Sequence, residues 1–143
     1  MNNLFTYLDE LPKIPTELLN EVHQSILINP NISTIDWYKN YKIHSATDDL
    51  KDYLKPLFTN HSISVQVVTN SLHKHRDIGR TVAVNYLIDN GGNNVETCFY
   101  NNDGTLMYNI KIEEYRWHML DVSILHNVIN LERPRIAITI NPL

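Results

Sequence analysis

A mainly β domain, a sandwich or jelly roll of antiparallel strands with a helical cover near its N-terminus, is the architecture this sequence predicts. Three observations predict it. The hydrophobic period switches from helical spacing to alternation near residue 62, at least seven strand-like runs follow it, and no Gly/Ser linker separates the two parts. For 143 residues this means one domain with one core, residues 1–60 as cover and 62–143 as the strand-built body, rather than two units.

Pro15 is placed for a first helical turn. Leu18, Leu19, Val22, Ile26 and Leu27 follow it on one stripe before Asn29 and Pro30 end the pattern. A second helix opens at Thr47, an N-cap residue type, with Asp48 and Asp49 complementing the helix dipole. It carries Leu50, Tyr53, Leu54 and Leu57 on one side and meets Pro56 near its end. The first 60 residues thus read as helical. Beyond them Ile63, Val65 and Val67 alternate with Ser62, Ser64 and Gln66, and 81–88 is a β-branched and aromatic run. Turn signals at 89–94 and 101–104 flank a strand at 95–100. Further strands are expected at 106–112, 116–122, 124–129 and 135–140.

Composition narrows the function. Twelve Lys and Arg against 16 Asp and Glu give a formal charge of -4, with no basic stripe to neutralise phosphates. Nucleic acid and anionic membrane are therefore not expected as partners. The apolar runs are far shorter than the roughly 20 residues that span a bilayer, and Met1 to Phe5 lacks a basic leader segment, so a soluble, cytoplasmic protein is expected. With Cys98 alone, no internal disulfide and no cysteine-based zinc site can form, and any metal must use His and carboxylates.

Seven histidines are present, and His23, His44, His61 and His118 call for no role beyond surface or hydrogen-bonded positions. His75 and Asp77 are different. Two residues apart in extended backbone, they place an imidazole and a carboxylate on one side, where two ligands for a divalent metal converge. About one such triplet is expected by chance in a chain of this composition, so position must supply the specificity. A second imidazole completes the two-histidine, one-carboxylate face that leaves positions open on iron(II) for a chelating cosubstrate and dioxygen. His126, in a short strand some 50 residues downstream, is the candidate. In the last strand Ile136, Ile138 and Ile140 share one face and Arg135, Ala137 and Thr139 the other. A guanidinium on an inward face must find an anion. Arg133, in the preceding turn, is expected to be solvated.

His75-Arg76-Asp77-Ile78-Gly79-Arg80 leads into Thr81-Val82-Ala83-Val84-Asn85-Tyr86. Glu96-Thr97-Cys98-Phe99-Tyr100 and Leu125-His126-Asn127-Val128 follow, and an arginine nine residues after His126 opens the final strand. Over residues 62–143 this order resembles the iron(II)- and 2-oxoglutarate-dependent oxygenases, and within them the compact prolyl and aspartyl hydroxylase-like members of bacterial or phage type. The resemblance implies a double-stranded β-helix with the N-terminal helices packed on one sheet. It implies iron held by His75, Asp77 and His126, and the distal carboxylate of the cosubstrate paired with Arg135. Asn85 and Tyr100 are further candidates for contact with the cosubstrate. Relatives often carry Ser or Thr two residues after the arginine, where this chain has Ala137; Thr139 or an earlier strand would then provide the hydroxyl. The implied reaction decarboxylates 2-oxoglutarate to succinate and hydroxylates a C–H bond.

Two alternatives stand beside it. His73-x-His75 could open a cupin-like metal site that does not use 2-oxoglutarate, but Gly79 and Arg80 stand where that motif wants a glutamate. A metal-free jelly-roll binding or structural module would use the same side chains as hydrogen-bonded core groups. Selectivity is expected in the segments Tyr38–His44, Ile78–Arg80 and Asp89–Asn94. A short peptide or a small metabolite suits a chain this size better than a large folded target. The substrate and the oligomeric state are left open.

Overall fold

The computed structural model describes residues 4–33 and 40–142. In chain order the elements are β1 (Phe5–Tyr7), α1 (Thr16–Ile28), β2 (Tyr41–Ser45), α2 (Asp48–Leu54), β3 (His61–Val68) and β4 (Val82–Asp89). β5 (Glu96–Tyr100), β6 (Leu106–Ile110), β7 (Trp117–Asp121), β8 (His126–Ile129) and β9 (Arg135–Pro142) complete them. The strands form two antiparallel sheets. One is six-stranded in the order β1-β7-β4-β9-β3-β2, the other three-stranded in the order β6-β5-β8.

Alternation along the strands divides the apolar side chains between two clusters. Ile138 and Ile140 of β9 join Ile63 and Val65 of β3, Val22 of α1, and Leu50 and Leu54 of α2. Each of these fully buried aliphatics contributes roughly 1.5–3 kcal/mol relative to exposure. On the other phase, Ala137 of β9 joins Ala83 and Leu87 of β4, Leu120 of β7 and Phe5 of β1 with Phe99 of the small sheet. The Arg135-Ala137-Thr139 face therefore looks toward the space between the sheets. The small sheet is extended on its β8 side by residues 72–77. His75 and His126 exchange both backbone N–H···O bonds at 2.9 Å, and Asp77 N–H donates to Val122 O at 2.9 Å.

Several local expectations are corrected. The first 60 residues are not wholly helical, because β1 and β2 lie among them. β1 is only three residues long and owes its existence to β7, with Phe5 opposite Leu120, a partner that no local pattern encodes. β2 is an edge strand held by β3. α2 stops at Leu54, leaving Leu57 at 37% exposure, and Leu27 is 85% exposed and so not part of the buried stripe of α1. The Thr47 side chain caps nothing; its backbone N–H instead donates to Ser25 Oγ at 3.0 Å, tying α2 to α1. Among the described residues no helix is long and apolar enough to cross a membrane.

Candidate metal centre

Backbone pairing of residues 72–77 with β8 brings together side chains 51 positions apart. His75, Asp77 and His126 each offer a ligand atom, and these atoms all lie within 4.8 Å of one another. Asp77 Oδ1 is 3.3 Å from His126 Nε2 and 3.6 Å from His75 Nε2. Neighbouring ligands of an ion with bonds of about 2.1 Å sit about 3 Å apart, so a small contraction around a cation completes the set.

The two imidazoles are oriented in the same way. Nδ1 of His75 meets the carbonyl of His73 at 2.8 Å, and Nδ1 of His126 meets that of Ile124 at 2.6 Å. A carbonyl can only accept, so Nδ1 donates in each ring and Nε2 is the atom turned to Asp77 Oδ1, the one available to ligate an ion. Asp77 is fixed from its other oxygen, where Arg80 Nε donates to Oδ2 at 2.8 Å. Nη1 of Arg80 donates to Thr139 Oγ1 at 3.3 Å and to Asn141 Oδ1 at 2.5 Å. Burial opposes ionisation of Asp77, but hydrogen bonds from His126 and His75 and the charge of Arg80 outweigh it. The carboxyl is held well below the usual carboxylate range. Tyr41 of β2 stands at this end too. Burial, against the opposing pull of Arg80, pushes its phenol up to about 12, so it is neutral.

From this cluster a cavity of about 70 Å³ runs between the sheets to Arg135. Several ordered waters or one small molecule would fill it. Arg135 is buried and makes no ion pair among the described residues, and its Nη1 has no hydrogen-bond partner. Burial lowers it to about 10, so it stays charged at neutral pH. His118 of β7 lines the same space. Burial, reinforced by the positive Arg135, pushes its imidazole down to about 3 and keeps it neutral. Asn85 Oδ1 and Thr97 Oγ1 also line the cavity and are also buried without partners. Beneath Arg135 the β4–β5 turn passes at close range. Gly91 has φ +94°, and a Cβ there would come within 2.5 Å of Leu131 Cδ2 and 3.3 Å of Arg135 Cβ.

The other expectations fall out as follows. Tyr100 does not line this cavity: its hydroxyl donates to Asn127 Oδ1 at 2.8 Å, and Lys74 lies over its ring. Arg133 is half-exposed and ion-paired with Asp89. Thr139 is turned to Arg80. Of the segments expected to set selectivity, Ile78–Arg80 borders an outer groove of about 380 Å³ with Tyr41 and Ile43, while Tyr38 and Lys39 lie outside the described residues. Asp89–Asn94 packs instead on the turn after β8, where Gly91 O accepts from Glu132 and Arg133. Arg80, His118 and Thr97 take positions that sequence reasoning did not give them. The available signal for Thr97 was a hydroxyl on the inward phase of β5, two residues from Phe99.

No family model matches the chain, and no curated protein matches its sequence. Solved structures match its shape. A prolyl hydroxylase from Trichoplax adhaerens, in complex with a peptide of the hypoxia inducible factor oxygen degradation domain, superposes with TM-score 0.65 at 17% identity, over 97% of this chain and 83% of that one. A Pseudomonas putida prolyl-4-hydroxylase gives 0.65 at 10% identity over 98% and 93%. An oxidoreductase of the 2OG-Fe(II) oxygenase family from Burkholderia pseudomallei gives 0.59 at 7% identity over 90% and 78%. At these identities the likeness is one of fold: the chain has the fold of the 2-oxoglutarate- and iron(II)-dependent oxygenases.

Proposed function

We propose that this chain is an iron(II)- and 2-oxoglutarate-dependent dioxygenase that hydroxylates an amino-acid side chain in a short peptide or a small metabolite. In this reading the whole chain is one double-stranded β-helix domain with its helices covering the larger sheet. His75, Asp77 and His126 hold the iron, Arg135 pairs with the far carboxylate of 2-oxoglutarate, and Asn85 contacts the cosubstrate along the cavity wall. When bound, iron, 2-oxoglutarate and dioxygen supply the oxidising chemistry, with succinate and carbon dioxide as co-products.

The residues present fit these groups. Two imidazoles and one carboxylate make a donor set that suits iron(II) and leaves coordination positions open. Arg80 engages one oxygen of Asp77, so the other is the one turned to the histidines. Arg135 provides a planar fork suited to a carboxylate. Neutral His118 and Tyr41 add no competing charge. The observation that carries the reading is the buried Arg135 guanidinium, stranded in the cavity that begins at the three-ligand cluster. An unpaired buried charge is destabilising by several kcal/mol, and an anion held there offsets it.

The outer groove beside Tyr41, Ile43, Ile78 and Arg80 reaches Asp77 and is where the substrate enters. A peptide is favoured by the peptide-bound prolyl hydroxylase of similar fold. The test is conversion of 2-oxoglutarate to succinate by the purified protein. Turnover should require iron(II) and dioxygen and vanish in Asp77→Ala. Metal binding without any 2-oxoglutarate binding or turnover would reject the oxygenase and favour a cupin-like protein.

A further inference from the structure

We infer that Lys74 and Arg76 are positioning residues for the metal centre, fastening the segment that carries His75 and Asp77 across the outside of β8 to the β5–β6 turn; this rests on the metal-binding part of the reading above. His73-Lys74-His75-Arg76-Asp77 alternates two kinds of side chain. In extended backbone consecutive residues face opposite ways, so with His75 and Asp77 turned inward, Lys74 and Arg76 face outward. β8 lies between this segment and β5, with His126 opposite His75 on one side and Phe99 on the other. Both cations make their contacts on the far side of it. Lys74 Nζ donates to Gly104 O at 2.9 Å and stands 4.2 Å from the centre of the Tyr100 ring, and Arg76 Nη2 donates to Asn102 Oδ1 at 2.8 Å.

The turn that receives them is itself fixed. Gly104 N–H donates to Asn101 O at 2.9 Å, Asn101 N–H to Thr105 O at 2.9 Å, and Thr105 N–H to Asp103 Oδ1 at 3.0 Å. Gly104 has φ +88°, a conformation that favours glycine. The need for an outside tie is geometric. Two of the three ligands hang on a segment whose backbone bonds, among the described residues, all go to β8 and to Val122 just before it. Segments held along one edge open at low free energy, whereas a ligand set must be kept within about 0.5 Å of its working geometry. Any sliding of 72–77 along β8 would part His75 and Asp77 from His126. Charge alone predicts the opposite role. Two cations near a site for a divalent cation repel it, so if they acted only as charges their removal would strengthen metal binding. A positioning role reverses that sign.

The test is manganese(II) affinity of the full chain, measured free of dioxygen alongside the metal-free melting temperature. Lys74→Met, Arg76→Ala and Asn102→Ala should each weaken manganese by about 2- to 10-fold, the scale of one hydrogen bond, and Lys74→Met with Arg76→Ala by about 10-fold or more. Asn102→Ala changes no charge, and combining it with Arg76→Ala should add no further loss, because the two remove one contact. Lys74→Arg keeps a cationic donor beside Tyr100 and should retain most of the affinity. Melting temperatures should stay near that of wild type, since Lys74, Arg76 and Asn102 are exposed. Tighter or unchanged manganese binding in the Lys74/Arg76 double variant, additive losses in the Arg76/Asn102 pair, no retention in Lys74→Arg, or a fall in metal-free stability in step with the loss of manganese overturns the assignment. A wild-type chain that binds no manganese overturns the metal centre itself.

Discussion

The two ends of the cavity solve the problem of buried charge in opposite ways. At the Asp77 end the charges are mutually satisfied: one carboxylate is shared by two imidazoles and a guanidinium that is itself tied to Thr139 and Asn141. At the Arg135 end a cation, an amide oxygen and a hydroxyl have no partners among the described residues, and the neighbouring imidazole is neutral. The first end is assembled before any ligand arrives. The second lacks a counter-charge, so ligand-free stability and affinity for an anion should oppose each other there and not at the Asp77 end.

The largest break in that contrast should come from Asp77→Ala. It removes the shared carboxylate and leaves Arg80 facing two imidazoles. Manganese affinity should fall by more than the ~10–100-fold typical of losing a residue behind a ligand, and iron-dependent succinate formation should disappear. Next is Arg135→Met, expected to weaken 2-oxoglutarate by roughly 30- to 150-fold while manganese titration stays as in wild type. The same variant should melt higher than wild type without ligand, since it removes an unpaired buried charge. Arg80→Gln should do the reverse, weakening manganese by about 10-fold or more through a loosened Asp77, with 2-oxoglutarate recognition at the far end intact.

The smallest effect, taken per unit of pH, is on folding stability. His118 is pushed down to about 3 in the folded chain from an ordinary value of 6.5, so the unfolded chain takes up the proton first. Folding stability should therefore fall as pH drops from 6.5 toward 3, by up to about 1.4 kcal/mol per pH unit. Asp77, whose folded value is depressed, adds stability that begins to be lost below about pH 5, as its carboxyl, ordinarily at 3.8 when unfolded, takes up protons. Denaturant unfolding between pH 5 and 6.5 reads the His118 limb, and His118→Gln should flatten it.

Most strands were legible because alternation, β-branched runs and Asn/Gly turns are local signals, and β3, β4, β5 and β9 start or end within two residues of where those signals put them. β1 was not, since a three-residue strand is defined by its partner. His75, Asp77, His126 and Arg135 could be picked out because each is a polar residue at a telling position in a strand-like pattern. Arg80 read as a loop residue because its ion pair with Asp77 depends on how 77–80 turns, with Gly79 at φ +86°. His118 read as a surface or hydrogen-bonded histidine because nothing in Trp117-His118-Met119 tells which phase faces the other sheet; pairing with Asn85 of β4 decides it. Thr97 was overlooked because threonine is an ordinary strand residue, and only the absence of a partner in three dimensions marks it.

Gly91 does not line the cavity, yet it lies against the root of the guanidinium that does. Its missing side chain is what lets the β4–β5 turn lie against Leu131 and the root of Arg135. A mutant library that diversifies only the cavity walls would therefore keep a fixed floor. Changing the depth of the pocket means rebuilding that turn together with the strand it supports.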